Sequence, residues 1–467
     1  VGGIVVGSAG GVWRMNDVLT FVSNSQWPKA PENIDNSCRF DDGSSDNLSR
    51  TPSSSGNRKT WTWSGWIKKS TIGSGYQFVF ASTDASTSTG SIGTNYNGDN
   101  VIYFRDDLIS LNLTPNAVFR DTSAWYHIVV SLDTTQSTAS NRAKMYINGT
   151  QITSFATANY PNQDTEGSIN LVSGSYVHRI GSYNGSSNFF DGYLAEVVFI
   201  DGQALDPTSF GETDSTTGIW KPKKIGAFAS AGDNSFYLNF KDSSNLGKDE
   251  SGLGNNFTVN NLTSIDQSTD TCVVNAITFN PLDVTADDEP TLSEGNLKAV
   301  ADGAFHQQRS SLYLTSGKWY WEFKPTTVGD AMQGGVVGSN YAGGSGLRRN
   351  YSYNGQKYTD GSAASYGATY AANDIIGVAL DLDNGTLIFY KNGVSQGTAY
   401  TDMLTAIGQD GWTPDVIIYN STVEMNFGSP PYSISSGNSD ANGFGNFEYS
   451  VPSGYYALNT TNLNTYG

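Results

Sequence analysis

Two distant stretches of this chain place an Asn-Gly pair directly after a short apolar strand. KMYINGTQI occupies residues 144 to 152, and DIIGVALDLDNGTLIFYKNGVSQG occupies residues 374 to 397. In both cases a β-branched strand that ends in Leu-Asp comes earlier: WYHIVVSLD before the first stretch, and DIIGVALD at the start of the second. Asn and Gly both accept the positive φ of a tight hairpin turn, so an Asn-Gly pair after an apolar strand is a strong hairpin signal. The sequence therefore predicts two all-β units, each with the same strand, turn and strand at its centre.

Composition and charge agree with this and exclude some partners. The chain has 467 residues, enough for two or three units at roughly 150 residues each. Its 26 Tyr, 22 Phe and 10 Trp and its many Ser, Thr, Asn and Gly residues suit short strands joined by turns. The net charge of −18 repels phosphate backbones and anionic membranes. We expect no nucleic-acid partner and no membrane insertion.

The chain divides into four predicted segments: a lead or docking segment (1–33), a first β unit (34–215), a connector with local β structure (216–275) and a second β unit (276–467). The lead segment opens with VGGIVVGSAGGVW, which lacks a basic start and is too short to span a bilayer. A short β-prone strand of this kind can add to the sheet edge of a neighbour. The sequence does not decide whether Cys38 and Cys272 pair.

Motifs that suggest an enzyme fail on their context. Residues 393–397 spell G-x-S-x-G around Ser395, but a hairpin turn precedes them and all three histidines lie earlier in the chain. Asp381 opens a D-x-D-N-G stretch without the Gly and Glu that an EF-hand loop needs at its sixth and twelfth positions. Glu196 and Asp201, the nearest approach to a glycosidase carboxylate pair, have odd spacing on one strand. No His or Cys pair has zinc spacing. We predict no catalytic residue and no metal site from these motifs.

A binding site is easier to place, because residues 339–367 are rich in Tyr, Gly and Asn and contain an Arg-Arg pair. Tyrosines stack on sugars or protein side chains, and arginine binds carboxylate, sulfate or phosphate in a forked geometry. Strand residues facing a core would give the same alternation of tyrosines. The predicted ligand-binding residues are Tyr341, Arg348, Arg349, Tyr351, Tyr353 and Tyr358.

Several blocks also resemble known families. CRFDDGSSDNLSRTPSSSGNRKTWTWSGWIKKS, DTSAWYHIVVSLD, KMYING and FFDGYLAEVVFIDGQAL together resemble a laminin-G-like, concanavalin-type jelly roll over about residues 36 to 212. SGKWYWEFK, GVVG, KYTDG, the stretch from Asp374 and PDVIIYNSTVEMNFG resemble a SPRY domain over about residues 276 to 463. The pairing of these modules, with GVW before them and WKPKK between them, resembles virion fibre or appendage proteins of tailed phages of marine bacteria.

The resemblance implies two β-sandwiches in tandem that bind ligands and perform no chemistry. It also implies that a structural Ca²⁺ could bind loop carboxylates, with Asp42, Asp46, Asp191 and Asp201 as possible ligands; no other cofactor is expected. The predicted function is adhesion by a fibre or appendage protein, a homo-oligomer located on a virion or outside a cell. Its partners would be a host glycan or surface protein and other virion proteins. Two alternatives stay open: an architectural subunit that mainly contacts itself and other structural proteins, and a polysaccharide-degrading enzyme.

Overall fold

The computed structural model describes residues 34–73, 75–84, 89–172, 176–225, 228, 231–283, 289–338, 347–406 and 411–467. Within these ranges the regular structure is almost entirely β, as the sequence predicted. The described chain forms two compact units, one with residues 34–267 and 271–273, the other with residues 268–270 and 274–467. No helix among the described residues is long and apolar enough to cross a membrane.

The first unit is a sandwich of two sheets. One has the strand order β10-β9-β8-β3-β13-β1, with β16 also beside β13, and the other has the order β11-β7-β6-β5-β4-β12-β2-β17; β14 and β15 form a separate hairpin. The strands are β1 (Ser37–Phe40), β2 (Asn47–Arg50), β3 (Thr60–Lys69), β4 (Gln77–Thr83), β5 (Thr89–Thr94), β6 (Tyr103–Asp106), β7 (Leu111–Pro115), β8 (Trp125–Asp133), β9 (Ala143–Ile147), β10 (Thr150–Gln151), β11 (Phe155–Asn159), β12 (Val177–Ile180), β13 (Gly192–Asp201), β14 (Gly211–Thr213), β15 (Trp220–Pro222), β16 (Phe236–Leu238) and β17 (Thr258–Asn260). Short 3-10 helices cover Tyr96–Gly98, Asp107–Ile109, Ala139–Asn141, Pro207–Ser209 and Ser264–Asp266.

The core of this unit lies between the two sheets and follows the period of two in its strands. Trp61 and Trp63 of β3 point into it and are completely buried beside Phe80, Phe104 and Phe199. On the opposite face of the same strand, Trp66 stacks on the imidazole of His127. Both faces of this sheet are therefore covered by aromatic side chains.

The range predicted as a connector supplies most of the side chains that cover the second face of this sheet, the face opposite the core. Its strand β16 pairs with β13, and β17 pairs with β2, so its local β structure extends the sheets of the first unit. The indole of Trp220 donates a hydrogen bond to Nδ1 of His127 at 2.9 Å. The Nε2 of His127 therefore carries the proton and donates to the Ser64 hydroxyl, also at 2.9 Å. Burial lowers the pKa of His127 to about 3, so the imidazole stays neutral.

The second unit also has two sheets. One has the order β19-β20-β31-β22-β27-β28-β29, with β32 parallel to β22, and the other has the order β21-β30-β23-β24-β25-β26. The strands are β19 (Thr291–Ser293), β20 (Lys298–Val300), β21 (His306–Arg309), β22 (Lys318–Thr327), β23 (Ala331–Gly338), β24 (Arg348–Ser352), β25 (Gln356–Thr359), β26 (Ser362–Ser365), β27 (Ile376–Asp381), β28 (Thr386–Lys391), β29 (Val394–Tyr400), β30 (Trp412–Tyr419), β31 (Thr422–Asn426) and β32 (Tyr456–Ala457). The short strand β18 (Gln267–Ser268) falls at the division between the units, and helix α1 covers Thr460–Tyr466.

The Asn-Gly pairs behave as predicted at two of three positions. Asn148 and Gly149 have φ of 48° and 78° between β9 and β10, and Asn392 and Gly393 have φ of 48° and 77° between β28 and β29. These are the paired positive values of the two-residue hairpin turn. Between β27 and β28 only Gly385 has a positive φ, because that connection has four residues rather than two. Cys38 and Cys272 do not form a disulfide bond with each other.

Candidate functional site

The predicted Tyr-rich and Arg-rich site falls on β24 and β25 of the second unit, where alternation separates its residues. Arg348 and Asn350 project from one face of β24, whereas Arg349 and Tyr351 project from the other. Tyr341 lies outside the described residues. The predicted cluster is therefore divided between the two faces of one sheet.

Arg349 is part of the packed interior. Its guanidinium is 3% exposed and forms ion pairs with Asp402 at 2.7 Å and with Asp360 at 2.9 Å. It also lies 5.6 Å from the ring centre of Tyr400. The hydrogen bond from Arg349 holds the pKa of Asp402 below its usual value. This arginine joins two loops to the sheet, which corrects its prediction as a ligand-binding residue.

Tyr351 is also a core residue, which corrects the prediction for it as well. Its side chain is fully buried and packs edge-on against Tyr366 and Tyr370 with ring centres 5.3 and 5.2 Å away. Its hydroxyl donates to the carbonyl oxygen of Ala368. The alternative weighed for these tyrosines, strand residues facing a core, holds at this position.

The remaining predicted residues are half-buried and stay candidates. The Tyr353 hydroxyl reaches the carbonyl oxygen of Asp330 at 3.5 Å, at the end of the sheet. Arg348 and Tyr358 lie on the same face of the sheet, because Asn350 is the residue opposite Tyr358. Arg348, Tyr353 and Tyr358 can therefore contact a ligand from the surface.

The enzyme-like motifs are turns and strand ends. Ser395 is exposed on β29, and its hydroxyl accepts a hydrogen bond from the backbone of Gly397 at 3.2 Å. Asp381 accepts from the backbone N–H groups of Asp383 and Asn384 and pairs with Lys318 at 2.9 Å. Both motifs are accounted for by the hairpin geometry around them.

The two carboxylates weighed as a glycosidase pair are held by different partners. A β-bulge interrupts β13 between Ala195 and Val198, and Glu196 in that bulge has a φ of 52°. The Tyr237 hydroxyl donates to Glu196 at 2.6 Å. Asp201 accepts from the backbone of Asn57 at 2.7 Å and from the Asn170 amide at 2.9 Å.

Two of the four possible calcium ligands come together with a third aspartate. Carboxylate oxygens of Asp41, Asp42 and Asp191 lie within 4.8 Å of one another. Burial and the neighbouring Asp41 carboxylate raise the pKa of Asp42. Three hard oxygen donors with mutual repulsion fit a Ca²⁺ ion, which would bind them and relieve that repulsion. Asp46 instead accepts from the backbone of Asp41 at 3.0 Å, and Asp201 has the donors described above.

We expect 5 mM CaCl₂ to raise the melting temperature of the first unit by about 2–4 °C, because an extracellular-type site with a Kd near 10⁻³ M contributes about 1 kcal/mol at that concentration. Asp42→Asn should abolish the increase, and Asp233→Asn, at an exposed aspartate, should preserve it. Differential scanning calorimetry with and without EDTA measures the effect. An equal calcium response in Asp42→Asn and the parent protein would exclude this cluster as the site.

A second feature of the first unit is an aromatic pocket on β4, β5 and β6, defined here by Tyr76, Phe78, Tyr103, Arg105 and Tyr183. Its volume is about 220 Å³, and Thr89, Ser91, Asp107 and Asn188 complete the lining. The rings of Phe78 and Tyr103 meet edge to face with their centres 6.1 Å apart, and the rings of Phe78 and Tyr183 are tilted at 48° with their centres 5.0 Å apart. These residues stand on the face of the sheet opposite the core, because Val79, Ile92 and Phe104 point the other way.

Polar groups border the rings of this pocket. Arg105 lies over the ring of Tyr96 at 5.2 Å and donates to Asp107 at 3.2 Å. The Tyr183 hydroxyl accepts from the Thr89 hydroxyl at 3.1 Å. Gly93 makes room for the innermost ring: a Cβ at this position would lie 2.4 Å from the Tyr103 hydroxyl oxygen. The pocket thus combines flat apolar surfaces with hydrogen-bonding groups at its edge.

The alternation of residues in two strands of the sequence indicates this pocket, although no motif in the chain predicts it. Tyr76 and Phe78 alternate in YQFVF, and Tyr103, Arg105 and Asp107 alternate in YFRDD. Alternation places each set on one face of its strand. The pairing of both strands with β5, which joins them into one surface, is a long-range property of the sheet.

Comparison with known proteins agrees with this architecture. Residues 42–209 match the concanavalin A-like lectin/glucanases superfamily, in its Laminin_G_3 form, and residues 318–430 match the SPRY domain. The chain therefore contains a laminin-G-type concanavalin A-like domain and a SPRY domain, and that part of the predicted resemblance is confirmed. Such domains are generally binding modules rather than catalysts. The resemblance to phage fibre proteins stays a prediction.

Individual relatives share only parts of the chain. The E3 ubiquitin-protein ligase RKP of Arabidopsis thaliana is 27% identical over 135 residues, covering 27% of this chain and 10% of the relative. Ran-binding protein 10 of Danio rerio is 29% identical over 164 residues, covering 30% of this chain and 26% of the relative. The solved SPRY domain of human HERC1 is 20% identical with a TM-score of 0.24, covering 27% of this chain and 83% of that one. The chain spans about a quarter or less of the length of these curated relatives.

Proposed function

We propose that this chain is a non-enzymatic adhesion protein, a fibre or appendage subunit displayed on a virion or outside a cell, and that its first unit binds a host glycan in the aromatic pocket. The pocket itself is the observation that carries this proposal. The presence of two domains of types that mediate protein interaction or adhesion supports it.

The chemistry of the pocket suits a sugar ring. Tyr76, Phe78 and Tyr183 offer flat apolar surfaces, which pack against the C–H face of a sugar. Arg105 and Asp107 supply donors and acceptors for hydroxyl groups at the rim. A volume of about 220 Å³ is below the roughly 300 Å³ of the smallest drug-sized sites, so one or two saccharide rings fit better than a larger ligand.

Weak single sites can still give firm attachment. Several copies of one subunit on a particle raise avidity by a factor of about 10²–10⁴ over a single site. We therefore place the partners of this protein in two groups, a host glycan or surface protein at the pocket and other virion proteins or further copies of the chain elsewhere.

The double variant Arg105→Ala, Tyr183→Ala is expected to lose glycan binding by tenfold or more, because it removes one stacking surface and one charged hydrogen-bonding group. Glycan-array screening of the parent protein identifies the bound sugar, and calorimetry with that sugar measures the loss. Host-cell binding by the same proteins tests the adhesion role.

The matched control is Arg348→Ala, Tyr353→Ala, which removes the same two residue types from the surface of the second unit. It should bind the glycan as the parent does. Loss of glycan binding in the control variant alone would place the site on the second unit. Unchanged binding in both variants would exclude both candidate sites. Absence of any glycan or host-cell binding by the parent would favour the architectural alternative, and release of reducing sugar would favour the enzymatic one.

A further inference from the structure

A second cavity of about 220 Å³ opens beside the bulge in β13. It lies within the first unit and shares no lining residue with the aromatic pocket. The residues that carry its chemistry are Asp35, Glu196, Lys223, Lys224, Tyr237 and Lys241. We call it the bulge cavity.

The wall of the bulge cavity is set by a residue in an unusual conformation. Glu196 has a φ of 52°, whereas most other residues with positive φ in the described chain are Gly, Asn, Asp or Ser. A left-handed conformation costs a side chain such as Glu roughly 1 kcal/mol or more, and such conformations concentrate at binding sites. The bulge frees Glu196 from the alternation of β13, and the Tyr237 hydroxyl fixes its carboxylate at 2.6 Å.

Three lysines line the same cavity, although the protein carries a net charge of −18. Lys223, Lys224 and Lys241 line the cavity, and their side chains belong to exposed residues. Lys223 donates to the carbonyl oxygen of Thr208 at 3.0 Å. Other lysines of the same region are paired: Lys221 with Asp214 at 3.0 Å and Lys248 with Glu250 at 2.8 Å. Among the described residues, Lys224 and Lys241 have no ion-pair partner.

We propose that the bulge cavity binds an anionic saccharide, a sugar residue carrying a carboxylate or a sulfate. Lys224 and Lys241 bind the anionic group, and Glu196 and Asp35 accept hydrogen bonds from the sugar hydroxyls. Tyr237 and Asn239 border the ring. The two carboxylates favour this ligand over a plain anion, because a sulfate ion or an acidic peptide side chain has no hydroxyl group to donate to them.

Short-range contacts must account for any such binding. The net charge of −18 repels polyanions at long range, so nonspecific attraction to an acidic ligand is weak. Affinity for a short anionic saccharide would therefore report local contacts at these lysines.

The experiment is calorimetric titration of the full chain at physiological salt with three trisaccharides: one of uronic acids, one of the corresponding neutral sugars, and one neutral trisaccharide bearing sulfate esters. We expect one or both anionic ligands to bind at least about tenfold more tightly than the neutral one. Comparison of the two anionic trisaccharides shows whether the cavity recognises a carboxylate or a sulfate group.

Lys224→Gln with Lys241→Gln should lower that affinity by at least about tenfold, and Glu196→Gln should lower it while leaving the melting temperature nearly unchanged. Lys248→Gln is the matched control, because it removes the same charge from a lysine that does not line the cavity. The variant Arg105→Ala, Tyr183→Ala should retain this binding, which separates the bulge cavity from the glycan site proposed above.

The proposal would be overturned if neither anionic trisaccharide binds, if Lys248→Gln weakens binding as much as the double lysine variant, or if a hexaglutamate peptide binds as tightly as the saccharides. Loss of binding in the Arg105 and Tyr183 variant alone would place the anionic saccharide in the aromatic pocket instead and would equally contradict a site at the bulge.

Discussion

Replacing Glu322 by alanine is expected to lower the free energy of unfolding of the second unit by about 3–5 kcal/mol. Glu322 is fully buried on β22 and accepts four hydrogen bonds. The donors are the Tyr320 hydroxyl at 3.1 Å, the backbone N–H groups of Glu448 at 3.0 Å and Tyr449 at 2.9 Å, and the Asn426 amide at 3.2 Å. Alanine leaves these donors without an acceptor and opens a cavity. A loss of this size is a large fraction of the roughly 5–15 kcal/mol that stabilises a typical domain.

Glu322→Gln should lower the free energy of unfolding by less than Glu322→Ala does. The side-chain oxygen of glutamine can still accept hydrogen bonds, but its NH₂ group would face donors that now bind the second carboxylate oxygen. The exposed Glu289 provides the control, and Glu289→Ala should change stability by less than about 0.5 kcal/mol. Urea unfolding followed by tryptophan fluorescence measures the effect, and hydrogen exchange of β22, β27 and β31 assigns it to the second unit. A loss below about 1 kcal/mol for Glu322→Ala would show that water replaces the carboxylate at no great cost.

The second large effect is a rise in the stability of the first unit with pH above neutrality. Lys69 is almost completely buried and donates to Asn95 at 2.5 Å, Asn100 at 3.2 Å and the carbonyl oxygen of Phe119 at 3.2 Å. Burial lowers its pKa from 10.5 to about 7. Between these values the unfolded chain holds a proton that the folded chain has released, so stability increases as pH rises. The full effect is on the order of 5 kcal/mol at ~1.4 kcal/mol for each pH unit.

The useful window is pH 7 to 8.5, where about 2 kcal/mol should be gained. Above this range burial keeps the Cys38 thiol protonated in the folded state, which lowers stability as pH rises further. Lys69→Met should remove the slope, and Lys144→Met, at a half-buried lysine of β9, should preserve it. Denaturant unfolding of the three proteins at several pH values provides the test. A parent protein whose stability is flat or falls across this window would show that Lys69 stays charged when folded.

The residues of the predicted site on β24 and β25 could be identified from the sequence, but the faces of the sheet on which they lie could not. The Arg-Arg pair and the tyrosines of residues 348–358 were recognisable by residue type, but residue type does not report which face of a strand meets the core. Arg349 and Tyr351 turned out to be buried, whereas Arg348 and Tyr358 lie on the other face. The alternation itself was visible in the sequence. Which of the two faces meets packed aromatic side chains was not visible, and the packing of Tyr400 and Tyr370 against Arg349 and Tyr351 decides it.

The possible calcium ligands were likewise recognisable by residue type in the sequence, but only the structure shows which of them lie together. Asp42 and Asp191 were named from a resemblance, and they do lie together, but the third member of the cluster is Asp41 rather than Asp46 or Asp201. Asp42 and Asp191 are far apart in the sequence. Their meeting depends on the pairing of β1 with β13, in which Phe40 is opposite Gly192. A register shifted by two residues would separate them.

Local chemistry alone determined the all-β class and the turns at Asn148-Gly149 and Asn392-Gly393, because strand alternation and the positive φ of Asn-Gly are properties of neighbouring residues. Only the tertiary structure decided where the ligands could bind. The aromatic pocket needs three strands in register, and the bulge cavity needs Glu196 displaced from its strand beside lysines that follow in the next segment of the chain. Both sites come from contacts between residues distant in sequence, and hydrophobic packing of whole sheets selects those contacts.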